Sequence, residues 1–69
     1  MNKLNDIENF ILFCLESYRK KTNKSGKEAL IDFENYDVFS FIEKGFEVLH
    51  TQSMNYIIDE IISFIENKK

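Results

Sequence analysis

Three groups of side chains in this sequence have the types and spacing for chemistry or charge recognition. The first lies in "GFEVLHTQSMNYI", residues 45–57, which holds the only histidine, His50, followed by Thr51. A histidine acting as general base needs a nucleophile and an orienting carboxylate close by in space. Thr51 is adjacent in the chain, so on a helix the two side chains diverge, whereas Glu47, three residues earlier, is spaced to meet His50. A structural role also covers these residues. His50 would end one helix, where a cation or a ring donor suits the carbonyl end, and Thr51 or Ser53 would cap the next. We favour that role, because a lone histidine lacks the constellation that a catalytic site needs.

The second candidate is Cys14, within "FILFCLE". A reactive thiol wants an electropositive, partly exposed setting. Cys14 lies instead in the most apolar stretch of the chain and reads as a small core residue. One His and one Cys far apart do not complete a tetrahedral zinc site. We therefore expect no enzymatic activity, no cofactor and no metal.

The third group is basic: Arg19, Lys20, Lys21, Lys24 and Lys27, at one helix end, its loop and the next helix start. Phosphate contact is the chemistry it would serve, which makes a small DNA-binding regulator the alternative reading. Against it, "DVFSFIEKGFE" offers aromatics and acids where a recognition helix carries Arg, Asn or Gln. The formal net charge of −3 also repels nucleic acid and anionic lipid.

These groups need elements to hold them. The chain has 69 residues, room for one domain with a modest core. It is 43% hydrophobic and 30% charged, with seven Phe and three Tyr, which is the composition of a folded chain. The single cysteine and the acidic, interrupted N-terminus fit a cytoplasmic protein without a secretory leader. The longest apolar run, "FILFCL", falls far short of the ~20 residues that span a bilayer.

With no proline and only Gly26 and Gly45, the apolar spacing predicts an all-α domain, a compact bundle of about four short helices over residues 1–69. The first helix should start near Asn2 or Asn5 and end near Lys21, with Leu4, Ile7, Ile11, Cys14, Leu15 and Tyr18 inward. Phe10, Leu12 and Phe13 widen its apolar face, which makes it the central helix. Ser25-Gly26-Lys27-Glu28 is a capping box for a short second helix that turns Ala29, Leu30 and Phe33 inward and stops near Asn35-Tyr36. Asp37 should cap the third helix, with Val38, Phe41, Ile42, Phe46 and Leu49 as its stripe. Gly45, inside that helix, either permits close packing against another helix or breaks it. The fourth helix buries Ile57, Ile58, Ile61, Phe64 and Ile65, and "ENKK" frays into solvent.

A bundle of this size cannot hide all its aromatics, and exposed apolar patches mark partner surfaces. The expected partner is another protein or a second copy of the chain. The residues expected to meet it are Tyr36 and Phe39, the His50-Thr51 turn, and Arg19, Lys20 and Lys24 of the basic loop.

Over Ile7 to Ile65 the chain resembles a small uncharacterised family of bacterial proteins. The likeness rests on Ser25-Gly26-Lys27-Glu28, on Leu49-His50-Thr51, and on the Tyr56-Ile57-Ile58-Asp59-Glu60-Ile61 run. Ser53 stands where the family pattern expects glycine. Genes of that family often neighbour genes for ADP-ribosyltransferase-like proteins. The resemblance thus implies an antitoxin-like or accessory subunit for a partner enzyme.

Overall fold

The computed structural model describes residues 3–69, with side chains from Asp6 onward. Four helices follow one another: α1 (Lys3–Thr22), α2 (Gly26–Asn35), α3 (Val38–Leu49) and α4 (Met54–Lys68). No strand occurs among the described residues. The expected cap at Asn2 and the inward placement of Leu4 lie outside the residues or side chains described, and α1 runs through Asn5.

A 20-residue helix is about 30 Å long, and α1 accordingly sets the 34 Å long dimension of a body 21 and 20 Å across. It packs against α2, α3 and α4, as a central helix must. Its end explains the basic loop's shape. Asn23 adopts a left-handed backbone, φ 57°, which asparagine tolerates better than most residues. The Lys24 amide then donates to the Arg19 carbonyl at 3.0 Å and the Asn23 amide to the Lys20 carbonyl at 3.3 Å. This pairing closes a helix C-terminus without glycine.

The capping box of α2 forms in both directions. The Ser25 hydroxyl accepts from the Glu28 amide at 3.1 Å, and the Glu28 carboxylate accepts from the Ser25 amide at 2.9 Å. Those bonds hold the Glu28 carboxyl below the usual carboxylate range. Ala29 and Phe33 are fully buried, but Leu30, expected inward, is exposed. The helix is short, and its solvent side takes up Leu30 and Ile31.

Asp37 precedes α3 as expected, but its side chain makes no cap hydrogen bond. The reason is its left-handed backbone, φ 58°, whereas a side-chain cap requires an extended one. Its carboxylate instead stands 3.8 Å from the Lys68 ammonium. This contact also corrects the frayed end expected for "ENKK", because α4 stays helical through Lys68.

Gly45 neither breaks α3 nor admits a neighbouring helix. The helix is continuous, and a Cβ at this position would meet only Leu49 of the same helix, 3.1 Å from its Cδ1.

Ser53 caps α4, its hydroxyl accepting from the Tyr56 amide at 3.2 Å. Thr51 does not share that task. Replacing Ser53 by alanine should therefore cost about 1 kcal/mol, and replacing it by glycine only a few tenths. Urea titrations of the two variants give the comparison, and equal costs would remove the capping role. Ile57, Ile58, Ile61 and Ile65 of α4 complete a core with Cys14, Tyr18, Phe33, Val38, Ile42 and Leu49.

Candidate partner-binding surface

His50 and Thr51 terminate α3. The His50 amide donates to the Phe46 carbonyl at 3.0 Å. The imidazole lies flat on the Phe46 ring, 4.8 Å between centroids at 20°. Phe46 in turn meets Phe10 edge-on at 5.4 Å, so this exposed histidine extends an aromatic stack from α1 to the helix end. The Thr51 hydroxyl donates to the Val48 carbonyl at 2.7 Å and satisfies a group the helix leaves open. The local chain thus gives both residues an architectural task.

The basic loop divides into engaged and open cations. Arg19 pairs with Glu16 on its own helix, Nη2 to Oε1 at 2.5 Å. Lys24 binds the Asp32 carboxylate on α2 and reaches over the Tyr18 ring, 5.8 Å from its centroid. The Tyr18 hydroxyl donates to the same Asp32 oxygen at 2.7 Å. Lys20, Lys21 and Lys27 are exposed.

The Tyr18–Asp32–Lys24 cluster ties the loop to α1 and α2 from below, and its charges follow. Burial pushes the Tyr18 phenol up to about 12, with the hydrogen bond to Asp32 and its negative charge adding to the rise. Burial also works to raise the Asp32 carboxyl, but the hydrogen bonds from Lys24 and Tyr18 outweigh it and hold that carboxyl below its usual range. The hydrogen bond to Asp32 raises the Lys24 ammonium. Cys14, fully buried among apolar side chains, has its thiol pushed up to about 12 by burial, the state of an unreactive core cysteine.

Phe39 and Tyr36 were expected to be exposed, and both are half-buried. Phe39 sets its edge against the Phe33 ring at 5.6 Å and 77°, so the core claims one of its sides. More exposed apolar side chains lie elsewhere: Val48 of α3, the Leu30–Ile31 pair of α2, and two residues of α1. Leu12 and Phe13 of α1 are 62% and 61% exposed, against the expectation that they widen the inward face. The free side of Phe39 joins Glu8, Ile11 and Leu12 in a shallow groove of about 340 Å³ between α1 and α3. Glu8 and Glu16 stand one helical turn before and after Leu12, so carboxylates border the apolar patch.

The signal for this surface is in the run "FILFCL". Six consecutive apolar residues on a helix cover every direction, while the inward stripe is little more than 100° wide. Once Cys14 takes the buried side, Leu12 and Phe13 must leave it.

Among the described residues no helix is long and apolar enough to cross a membrane. The architecture is thus that of a small all-α bundle whose α1 exposes two large apolar side chains, Leu12 and Phe13. A protein-family model described as "Protein of unknown function (DUF3791)" matches residues 9–68, and the chain belongs to that family. No curated protein and no solved structure matches it.

Proposed function

We propose that the chain is a protein-binding module without catalysis of its own, which meets its partner through the α1 face around Leu12 and Phe13. The observation that carries this reading is the exposure of Leu12 and Phe13, with Leu12 also lining the groove at Phe39. Exposed apolar residues scattered singly need no explanation, whereas a contiguous patch with a groove is the mark of a docking surface. The Glu8 carboxylate in the groove wall suits a partner with an apolar centre and a basic rim, while Glu16 is already paired with Arg19. The family resemblance adds the finer reading of an antitoxin-like or accessory subunit that covers part of a bacterial enzyme. The single buried thiol of Cys14 suits a reducing, cytoplasmic setting. For the DNA-binding alternative the loop offers Lys20, Lys21 and Lys27, while Arg19 and Lys24 are engaged with carboxylates of the same chain.

The test is affinity capture from native lysate with the tagged chain and with a Leu12→Ser/Phe13→Ser variant, both checked for intact helical signal. One protein retained in stoichiometric amount by the first and lost by the second is the expected result. Equal retention by both would remove the α1 face from the reading. Nucleic acid in the eluate would support the DNA-binding alternative instead.

A further inference from the structure

A second concavity lies between α3 and α4, separate from the α1 face, and its chemistry differs. It is an open cleft of about 490 Å³ whose lining includes Asp37, Phe41, Lys44, Gly45, Phe64 and Lys68. That volume is within the range of small-ligand pockets. Its wall includes a pair of stacked rings, Phe41 on Phe64, with centroids 4.3 Å apart at 26°. Two ammonium groups serve it. Lys68 Nζ lies 4.9 Å from the Phe64 ring centroid. Lys44 is exposed and has no ion-pair partner among the described residues. Two lysines against one aspartate line this cleft.

One feature keeps the cleft open to an anion. The contact of Lys68 with Asp37 is at the outer limit of an ion pair, 3.8 Å, with side chains 41% and 76% exposed. Such a pair contributes little, and an incoming acid can replace the Asp37 carboxylate at small cost. Gly45 presents bare backbone to the wall. A Cβ there would meet Leu49 Cδ1 at 3.1 Å, so packing within α3 already accounts for the residue.

We propose that the α3–α4 cleft binds a small organic anion, a flat apolar body carrying one carboxylate or phosphate. The body packs on the Phe41–Phe64 rings, and the acidic group lies between Lys44 and Lys68. The site is independent of the α1 face and of the partner proposed for it.

NMR titration of the isotope-labelled protein at low salt tests this with three probes: 1-naphthoate, 1-naphthyl phosphate and the neutral 1-naphthalenemethanol. The expected result is a set of shifts centred on α3 and α4 with one or both anions, and much weaker binding of the alcohol. A carboxylate–phosphate preference identifies the acid. A Lys44→Gln/Lys68→Gln variant should weaken anion binding about tenfold, the equivalent of two exposed ion pairs. Asp37→Asn should strengthen it, because the competing charge goes while asparagine keeps the left-handed backbone. No shifts at millimolar anion, equal binding of the alcohol, or an affinity indifferent to both lysines would overturn the proposal.

Discussion

Phe33→Ala should remove most of the stability of this chain. The side chain is fully buried, with its ring 5.3 Å from that of Tyr18 and 5.6 Å from that of Phe39. It therefore links α1, α2 and α3 at one point. Truncating a buried Phe to Ala costs about 3–5 kcal/mol, because lost burial adds to the cavity left behind. A domain has about 0.05–0.15 kcal/mol of stability per residue, which for 69 residues makes roughly 3–10 kcal/mol in all. The mid-values are about 4 and 6.5 kcal/mol, so the variant should lose more than half of its stability at 25 °C. Urea titration followed by far-ultraviolet circular dichroism reads the change, and Phe33→Leu should lose much less. A loss below about 1 kcal/mol for the alanine variant, typical of surface positions, would contradict the packing described.

Asp32→Ala should be the largest loss outside the apolar core, about 2–3 kcal/mol. Two groups depend on this carboxylate. The Tyr18 hydroxyl belongs to a residue only 4% exposed and donates to Asp32 at 2.7 Å. Left unpaired it costs about 1–3 kcal/mol. Lys24 loses its ion pair as well. Asp32→Asn keeps an acceptor for Tyr18 and should recover part of the loss. The effect depends on pH in a defined direction. The folded-state value of Asp32 is lowered, so its contribution is fully present above the ordinary carboxylate value of 3.8 and is lost as pH falls below it through the folded value. The Tyr18 phenol is raised from 10.0 to about 12, so its contribution is present below pH 10.0 and is lost as pH rises through about 12. The gap between the native chain and Asp32→Ala should thus be widest around neutrality and close at both extremes. A gap constant from pH 3 to pH 12 would show that the cluster does not act as described.

Both effects come from parts of the fold that differ in how plainly the sequence announces them. The helices and the central place of α1 follow from apolar spacing and the scarcity of breakers. The capping box at Ser25 and Glu28 follows from local chemistry, since all its partners lie within four residues. The Tyr18–Asp32–Lys24 cluster does not follow in that way. Its members are far apart in the chain, and Lys24 looks like a surface cation until the loop brings it over Asp32. The left-handed backbones at Asn23 and Asp37 are similar cases, because each depends on how two helices must meet. Asp37 shows the consequence: the residue type and position matched a helix cap, but the backbone turned its carboxylate toward Lys68.

The candidate surface was legible in outline. An excess of aromatic and apolar side chains over what one small core can hold is a property of composition alone. Which residues are left outside is decided by the packing of whole helices. Phe39 is drawn partly inward by Phe33, while Leu12 and Phe13 are left out because Cys14 and Tyr18 take the buried side of α1. The histidine illustrates the converse. His50 invites a catalytic reading in the sequence, and its surroundings are a phenylalanine ring and a helix end.

Side-chain NMR of Leu12 and Phe13, with the captured partner added in steps, shows whether the α1 face docks a partner. If capture yields none, a concentration series of the chain itself takes its place. The Leu12 methyl and Phe13 ring signals should shift first and furthest, together with those of Ile11 and Phe39. Unchanged signals from these four residues, while a partner binds elsewhere on the chain, would contradict docking at this face.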